Sequence, residues 1–386
     1  MRQLLSANLI RDLIAFQGVV LVILLSNLLL LRRSRRHAQP GIFPFVSVLV
    51  PARNEEKNIH RCVQSLLEQD YASFEVLVLD DQSSDGTLAI LRELASSQPH
   101  LQVLEGRPGT ESQSGKNWAC SQLARQARGD LLYFTDADTV HRPESLRLLV
   151  TAAIGEGADL LTGFPRQQTQ TWGERLLVPF FSWASLCFLP LLLAYQLRLR
   201  ALSVAVGQVM LFRRTAYQEI GGHAGLGTAI VDDLLLARKI KAAGYRWRVA
   251  SVSDVIACRM YQTSQEAVQG FTKNLFAAFD FRLLPFLFVF GWLVVVVWAP
   301  LVNLGLYLLG QTPQATLEQV VLCISLSLLL WLIPYGELRI PLYLGLLYPV
   351  TILANVVVAF KSLLSSLTGK LSWKDRPLDR PRWRVW

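Results

Sequence analysis

Short apolar runs alternate with longer amphipathic segments over much of the chain. Val46–Val50 and Phe74–Leu79 have the composition of buried strands, and a polar turn and a helical pattern follow each of them. Leu101–Leu104 and Leu131–Phe134 continue the alternation at a spacing of roughly thirty residues. The pattern predicts an α/β domain with a mainly parallel mixed sheet and flanking helices.

Further elements of this domain are predicted downstream. Val204–Phe212 and Arg246–Ser251 have the pattern of strands, and the second is expected to be the final strand of the domain. Gly221-Gly222-His223 has the pattern of a turn, and Asp232-Asp233 opens a helical segment that ends at Gly244. Ligands of such sheets bind beyond the carboxyl ends of the strands. The acidic residues that follow several strands are therefore candidates for a site.

Long apolar segments predict helices that cross a membrane. Leu13–Leu31 is long enough for one span, and the block after residue 281 suggests spans at Leu283–Leu309 and Ile340–Phe360, with a shorter candidate at Val320–Ile333. We therefore expect a transmembrane helix and basic linker in 1–40, the α/β domain in 41–280, transmembrane helices in 281–365 and a basic tail in 366–386.

Basic residues give the expected orientation. Arg32, Arg33, Arg35 and Arg36 follow the first span and mark its cytoplasmic end, which places the domain on the cytoplasmic face of the cell membrane. The basic tail should be cytoplasmic too, yet three spans after the domain would put it outside. Either one of the three is re-entrant or interfacial, or the orientation is reversed.

The segment Trp172–Arg200 differs from these spans. Its apolar run, Leu176–Leu193, is interrupted by Pro179 and Pro190 and rich in aromatic residues. These features favour a helix that lies in the membrane interface, although a buried span remains an alternative.

Composition agrees with a membrane protein. Of 386 residues, 52% are hydrophobic and 17% charged, and the mean hydropathy is +0.33. The net charge of +9 lies largely beside the apolar segments, which favours anionic lipid headgroups and not nucleic acid as the partner. Five dispersed cysteines predict neither a disulfide framework nor a zinc site, and the single histidines are expected to be structural or exposed.

The strand Leu131–Phe134 ends in two carboxylates, Asp136 and Asp138, one residue apart. Alternate residues of an extended chain point the same way, so the two can converge. Such oxygen ligands suit Mg²⁺ or Mn²⁺ shared with substrate phosphates. The alternative is an ordinary acidic turn at a strand end.

Five short motifs together resemble the inverting family-2 glycosyltransferases of the GT-A fold. The resemblance covers roughly residues 45 to 275, and the motifs are Val50-Pro51-Ala52-Arg53-Asn54-Glu55, Asp80-Asp81-x-Ser83-x-Asp85-Gly86-Thr87, Gly115-Lys116-Asn117, Asp136-Ala137-Asp138 and Asp232-Asp233. The closest resemblance is to membrane-bound members that glycosylate lipids, including ceramide and carotenoid glycosyltransferases. The segments 266–274 and 373–376 also look like that subgroup.

The resemblance implies a role for each motif. A nucleotide-sugar donor would bind Pro51, Ala52, Arg53, Asn54 and Glu55. The other donor-binding residues would be Asp80, Asp81, Lys116, Asp136 and Lys273. A carboxylate of this set can accept the N–H of a uracil-type base, which favours a UDP-sugar, and Lys116 would lie near the phosphates. A capped turn and a surface lysine are the structural alternatives.

Asp138, with Asp136, would hold the metal, and Asp233, with Asp232, would supply the catalytic base. Helix-start acids favoured by the helix dipole are the alternative for the second pair. Gly207 and Gln208 match the position of acceptor-binding residues.

The chain departs from the polymer-forming members of the family. These carry a (Q/R)xxRW signature, whereas Gln269-Gly270-Phe271-Thr272-Lys273 has no Arg-Trp pair. We therefore expect transfer of a single sugar to a membrane lipid, first a carotenoid or other isoprenoid alcohol, then a ceramide-like lipid. A processive polysaccharide synthase is the alternative enzyme, and a sugar-nucleotide-binding scaffold without catalysis is the alternative of another class.

Overall fold

The computed structural model describes residues 6–38, 40–41, 43–109, 115–227, 229–369, 372–373, 376–377 and 383–386. The motif at 373–376 therefore lies partly outside the described residues. The helices are α1 (Ala7–Ser34), α2 (Ile59–Leu67), α3 (Thr87–Ser97), α4 (Gly115–Gln126), α5 (Ser145–Gly155), α6 (Trp172–Phe188), α7 (Leu191–Gln196), α8 (Arg214–Glu219), α9 (Asp232–Ala242), α10 (Ser264–Asn274), α11 (Leu283–Leu308), α12 (Leu317–Glu337), α13 (Tyr343–Leu346) and α14 (Tyr348–Thr368).

The strands are β1 (Val46–Ala52), β2 (Phe74–Asp80), β3 (Leu101–Glu105), β4 (Leu131–Phe134), β5 (Thr139–His141), β6 (Leu160–Gly163), β7 (Arg166–Gln167), β8 (Met210–Arg213), β9 (Trp247–Ala250), β10 (Ile256–Cys258), β11 (Ser372–Trp373) and β12 (Arg376–Pro377). Short 3₁₀ helices lie at His223–Leu226 and Ala277–Phe279.

The chain divides into two compact units. The helical unit comprises Met1–Asn27, Thr169–Pro190 and Tyr261–Trp386, and the sheet unit comprises Leu28–Gln168 and Leu191–Met260. Both units are built from separate chain segments, whereas the domains expected from the sequence were contiguous. α6 belongs to the helical unit and α7 to the sheet unit.

The sheet unit is organised by a mixed sheet in the order β3-β2-β1-β4-β8-β6-β9. β1 runs parallel to β2 and β4, and β2 runs parallel to β3. β8 is antiparallel to β4 and β6, and β6 is parallel to β9. The near-continuous apolar runs of β1 and β2 reflect a position in the interior of the sheet, where both faces are covered. The predicted fold class is confirmed.

Two predictions about this unit were wrong in detail. The strand expected at Val204–Phe212 begins only at Met210, because residues 206 to 209 form a tight turn in which the N–H of Val209 donates to the carbonyl of Val206 at 2.8 Å. The strand over Arg246–Ser251 is not the last of the domain, since β10 follows it and joins a second small sheet in the order β5-β10-β7. β10 lies beside β5, the strand that leaves the Asp136–Asp138 segment.

The helical unit contains the long apolar helices. Within the described residues, α1, α11, α12 and α14 are long and apolar enough to cross a membrane. The short candidate at Val320–Ile333 proves to be a full-length helix, α12, and the span expected at Ile340–Phe360 begins later, at Tyr348, after the one-turn helix α13. Four crossings would return the chain to the side on which α1 starts.

α6 packs within the helical unit. A capping box at Thr171 and Glu174 starts the helix, and the helix ends at Phe188, two residues before Pro190. The Trp183 ring stacks on Trp331 of α12 at 4.0 Å, and its indole N–H donates to the carbonyl of Leu330 at 2.8 Å. The predicted apolar segment therefore forms two helices, α6 and α7, that belong to different units. Its position in a membrane interface stays a prediction.

Candidate active site

The loops after β1 and β2 meet at one edge of the main sheet. The two strands are parallel and in register, with Ala52 opposite Asp80, so both chains leave the sheet side by side. The N–H of Asp81 donates to the carbonyl of Ala52 at 2.7 Å, and Arg53 Nη1 donates to the carbonyl of Asp81 at 2.7 Å. Pro51 and Ala52 themselves belong to the end of β1.

Both loops bend through positive backbone angles. Asn54 and Gln82 have φ of 52° and 58°, a conformation that L-residues other than glycine and asparagine rarely adopt. Hydrogen bonds between the two loops stabilise this backbone conformation. The N–H of Asn54 donates to Ser83 Oγ at 2.9 Å, and Asn54 Oδ1 accepts the N–H of Ser84 at 2.9 Å. Backbone held in this way is often found at ligand-binding positions.

Asp80 and Asp81 are both buried in this edge, 3% and 6% exposed. Asp80 Oδ2 accepts the N–H of Ser83 at 3.1 Å, whereas Oδ1 has no hydrogen-bond partner among the described residues. The Asp81 carboxylate lies 3.7 Å from Arg53 Nη1. A buried carboxylate oxygen with spare accepting capacity suits the N–H or O–H groups of a nucleoside.

Asp85 links the two loops, because its Oδ2 accepts the N–H of Glu56 at 3.2 Å. Burial would raise the pKa of Asp85, but hydrogen bonds from the hydroxyl and N–H of Thr87 and from the N–H of Glu56 outweigh burial and lower it. The structural alternative of a capped turn therefore describes Asp85 well.

The segment after β4 carries Asp136 and Asp138. The N–H of Thr135 donates to the carbonyl of Leu49 at 3.1 Å, which places this segment beside the loop after β1. The pKa of Asp138 is raised to about 7, first by burial and then by the charges of Asp136 and Glu55. The thiol of Cys258 in β10 donates to Asp138 Oδ1 at 3.4 Å.

These carboxylates fit a divalent cation. The charges of Asp136 and Glu55 disfavour the ionised form of Asp138, and a bound cation would offset that repulsion. Among the residues that the structure describes, no three His, Cys, Asp or Glu side chains form a ready-made metal cage. A site with one or two protein carboxylates is typical of Mg²⁺ and Mn²⁺ that share substrate phosphates.

Lys116, near the start of α4, lies between the two predicted acidic pairs. Its Nζ is 2.8 Å from Asp136 Oδ1 and 3.9 Å from Asp232 Oδ2, and its side chain is 42% exposed. Burial would lower the pKa of Lys116, but the two carboxylates outweigh burial and raise it. Lys116 is therefore a permanent cation that solvent, or a ligand, can reach.

Asp233 lies in the first turn of α9. Its Oδ2 accepts the N–H of Gly207 at 3.1 Å and its Oδ1 the N–H of Leu234 at 2.7 Å. The pKa of Asp233 is raised to about 6, because burial and the neighbouring charge of Asp232 outweigh the lowering by Lys116 and the two N–H donors. A carboxyl group with a pKa near neutrality is suited to accept a proton in catalysis.

Gly207 brings these groups together. A Cβ atom at Gly207 would lie 3.1 Å from Lys116 Nζ, 3.5 Å from Asp136 Oδ2 and 3.9 Å from Asp233 Oδ2. The residue lies at the tip of the turn before β8 and not inside a strand, which corrects the sequence-based placement. The cation, one carboxylate of the D-x-D segment and the candidate base therefore surround one backbone position.

Gln208, which the sequence pattern also placed in a strand, is buried in the same turn. Its Oε1 accepts from Gln167 Nε2 at 3.1 Å, and its carbonyl accepts from the Thr135 hydroxyl at 2.8 Å. Its predicted acceptor-binding role stays a prediction. Lys273 lies in α10, in the helical unit, and its predicted role beside the diphosphate also stays a prediction.

Two neighbours of the cluster were not predicted as site residues. Asn117 Nδ2 donates to the carbonyls of Gly227 and Ala229, at 3.1 and 3.3 Å, and so ties α4 to the chain that leads into α9. His223 Nε2 lies 3.9 Å from Asp232 Oδ2. The sequence signals were Asn117 beside Lys116 and His223 directly after two glycines.

The mixed sheet with its acidic loops at one edge is a GT-A type fold. A solved mannosyltransferase from Pyrobaculum calidifontis, in complex with GDP-Man and Mn²⁺, superposes on 91% of this chain and 99% of its own with a TM-score of 0.51 and 20% identity. At that identity the likeness concerns the fold. Residues 47–221 match the family model described as glycosyl transferase family 2.

Several curated relatives share parts of the chain. Glycosyltransferase AglE of Haloferax volcanii is 34% identical over 122 residues, which are 31% of this chain and 39% of that protein. A β-monoglucosyldiacylglycerol synthase of Trichormus variabilis is 39% identical over 108 residues, 27% of this chain and 23% of that protein. A 4,4'-diaponeurosporenoate glycosyltransferase of Staphylococcus aureus is 26% identical over 233 residues, 60% of each chain. The chain thus spans between about a quarter and three fifths of these relatives.

Proposed function

We propose that the protein is an inverting glycosyltransferase that moves one sugar from a nucleoside-diphosphate sugar to a hydroxyl group of a membrane lipid. The observation that carries the proposal is the convergence of Lys116, Asp136 and Asp233 within 4 Å of a Cβ position at Gly207. A cation for the phosphates, a carboxylate for a metal and a base for the acceptor are the groups that this transfer requires.

The donor end of the site is assigned to the loops after β1 and β2. Asp80 and Asp81 offer buried carboxylate oxygens to the N–H groups of the base or the hydroxyls of the ribose, with Arg53 and Asn54 beside them. A uridine nucleotide is the first expectation, because its N–H matches a single carboxylate acceptor. Guanosine also presents N–H groups and is the second.

The phosphate end is assigned to Lys116 and the D-x-D segment. The Lys116 ammonium would lie against the diphosphate oxygens as a compact positive charge. Asp136 and Asp138 are the residues that would hold a Mg²⁺ or Mn²⁺ ion, and such an ion would neutralise charge on the departing diphosphate.

The base is assigned to Asp233. Its carboxylate takes the proton of the acceptor hydroxyl as that oxygen forms a bond to the anomeric carbon. The bond from the anomeric carbon to the phosphate oxygen breaks on the opposite face, and the nucleoside diphosphate leaves with the electron pair. The configuration at the anomeric carbon of the sugar is therefore inverted in the product. Asp232, whose charge raises the pKa of Asp233, keeps the base effective near neutral pH.

The apolar helices support a lipid acceptor. α1, α11, α12 and α14 are suited to a bilayer, and relatives named for monoglucosyldiacylglycerol and diaponeurosporenoate act on lipid-like acceptors. We propose a carotenoid or other isoprenoid alcohol as the first acceptor to test and a ceramide-like lipid as the second. The arginines after α1 place the sheet unit on the cytoplasmic face in this proposal.

The test is transfer in proteoliposomes that contain the full chain and candidate lipids. Labelled UDP-glucose, UDP-galactose, UDP-N-acetylglucosamine and GDP-mannose are added with Mn²⁺, and the organic phase is analysed for labelled lipid. We expect one donor to label a lipid, Asp233→Asn to abolish the product, and Asp130→Asn, which alters an exposed carboxylate of the same unit, to leave it unchanged. Label in a water-soluble polymer would indicate a polysaccharide synthase, and no label from any donor would refute the proposal.

A further inference from the structure

His223 is enclosed by aromatic rings next to the candidate catalytic acids. The residue is 1% exposed, its ring centroid lies 4.6 Å from that of Phe134, and its Nδ1 lies 2.9 Å from the hydroxyl of Tyr217. Burial lowers the pKa of His223 to about 4, Asp232 opposes the decrease and Lys116 adds to it. The imidazole is therefore neutral at physiological pH.

Hydrogen bonds with Tyr217 determine which nitrogen of the His223 ring carries the hydrogen. Its hydroxyl oxygen accepts the backbone N–H of His223 at 3.1 Å, and its single hydrogen then has Nδ1 as the nearest acceptor. If Nδ1 carried the ring hydrogen instead, the buried hydroxyl hydrogen would lose this acceptor, at a cost in free energy. The arrangement therefore favours a neutral ring with its hydrogen on Nε2.

Nε2 lies near the first of the two helix acids. Nε2 lies 3.9 Å from Asp232 Oδ2 and has no hydrogen-bond partner among the described residues. The distance is about 1 Å longer than an ordinary N–H···O hydrogen bond. Lys116 Nζ approaches the same carboxylate oxygen, also at 3.9 Å, from the side of the D-x-D segment.

The local chain is shaped to hold His223 in this position. Gly221 and Gly222 adopt φ of 77° and 46°, and a Cβ on Gly222 would lie 2.4 Å from Tyr217 Cζ. Only glycine allows the chain to pass the ring so closely. Asn117 secures the other end of the loop through the carbonyls of Gly227 and Ala229.

We propose that His223 is a positioning residue whose Nε2–H closes onto the Asp232 carboxylate when Lys116 turns to the donor diphosphate. The proposal rests on the proposed function, because binding of the donor diphosphate is the event that moves Lys116. Once the ammonium leaves, the imidazole N–H keeps Asp232 ionised and oriented. Asp232 in turn maintains the basicity of Asp233 through its charge. His223 thus acts through Asp232 and does not touch the substrate.

The kinetic test compares three variants in proteoliposomes. His223→Phe keeps a ring but removes the donor, and we expect kcat to fall about 10- to 100-fold, the value of a hydrogen bond to a charged group. His223→Gln restores an N–H near the Nε2 position and should stay within about threefold of the wild type. In an Asp232→Asn background, His223→Phe should lower kcat by less than about threefold, because the negative charge that the histidine positions is already removed.

Two results would overturn the proposal in an active protein. One is that His223→Phe has the same effect with and without Asp232→Asn, which would indicate a purely structural ring. The other is that His223→Gln is as impaired as His223→Phe. Donor affinity should change little in either variant, because the histidine does not touch the donor.

A spectroscopic test does not depend on activity. The protein has five histidines, so ¹⁵N-histidine spectra of the full chain, with His223→Gln for assignment, resolve the tautomer of His223. We expect a neutral Nε2–H ring from pH 5 to 8, and a shift of its Nε2 resonance in Asp232→Asn but not in Asp159→Asn. A ring that titrates in this range, or that carries its hydrogen on Nδ1, would refute the proposal. A wild type without transfer would refute only the proposed function.

Discussion

Replacement of Gly207 by alanine separates the chemistry of the site from the stability of the fold. The new Cβ would lie 3.1 Å from Lys116 Nζ, which is closer than an ordinary contact, so the ammonium must move by a few tenths of an ångström. The φ of Gly207 is not in the left-handed region, so alanine is compatible with the backbone. Lys116 Nζ is the end of a flexible side chain and can move away from the new methyl group.

The magnitude follows from the ion pair that is disturbed. Lengthening the Lys116–Asp136 contact from 2.8 Å to about 3.2 Å weakens it by about 0.7 kcal/mol at an effective dielectric constant of about 20. That loss corresponds to roughly threefold in rate, and misplacement of the cation relative to the diphosphate adds to it. We expect kcat/KM to fall about 3- to 10-fold, whereas the free energy of unfolding should change by less than about 1 kcal/mol.

Two other glycines provide controls. Gly41→Ala meets no described atom within 4 Å and should change neither activity nor stability. Gly129→Ala would place a Cβ 2.4 Å from the backbone nitrogen of Ser47, and because backbone cannot yield, the variant should be strongly destabilised.

The assays are initial rates of lipid glycosylation and the thermal unfolding midpoint of each purified variant. Full activity of Gly207→Ala would show that the point shared by Lys116, Asp136 and Asp233 is not where transfer takes place. A loss of stability like that of Gly129→Ala would show that the turn is more tightly packed than these distances indicate.

Four further predictions concern charged groups. Asp138→Asn should weaken Mn²⁺ binding at least 10-fold in a titration, and unchanged affinity would remove Asp138 from the metal site. The rate of transfer should fall as the pH decreases through about 6, because the base must be ionised and the pKa of Asp233 is raised to about 6; a rate independent of pH from 5 to 8 would contradict that assignment. Because the pKa of Asp233 is raised from 3.8 to about 6, its ionisation should lower the free energy of unfolding of the wild type relative to Asp233→Asn by up to about 3 kcal/mol as the pH increases from below 3.8 to above 6, and a difference between the two that does not change with pH would refute this. Lys241→Met should destabilise the protein by about 2 to 4 kcal/mol in denaturant unfolding, because the buried ammonium donates to the carbonyls of Ala194 and Leu202 at 2.6 and 2.7 Å; an unchanged midpoint would contradict this.

The main elements of the fold could be predicted because their signals are local. The apolar runs of β1, β2 and β4 and the helical patterns between them follow from side-chain periodicity, and α1 and α11 follow from length and hydropathy. The predictions were wrong where contacts between residues far apart in the sequence determine the local structure. The turn before β8 has the apolar composition of a strand, and α12 is interrupted in sequence by polar residues that its neighbours in the helical unit accommodate, such as Ser327, which accepts a hydrogen bond from Gln17.

The amino-acid sequence by itself determined which acids are available: Asp80, Asp81, the Asp136–Asp138 segment and the Asp232–Asp233 pair are recognisable because each stands at the end of a strand or the start of a helix. Their convergence is a property of the tertiary structure. Gly207 has no side chain, so its residue type gives no sign of its role in the site. The proposed role of His223 depends on its position beside the hydroxyl of Tyr217 and the carboxylate of Asp232. Hydrogen-bond direction, burial and charge separation depend on distances in space, which residue types and spacing along a chain do not contain.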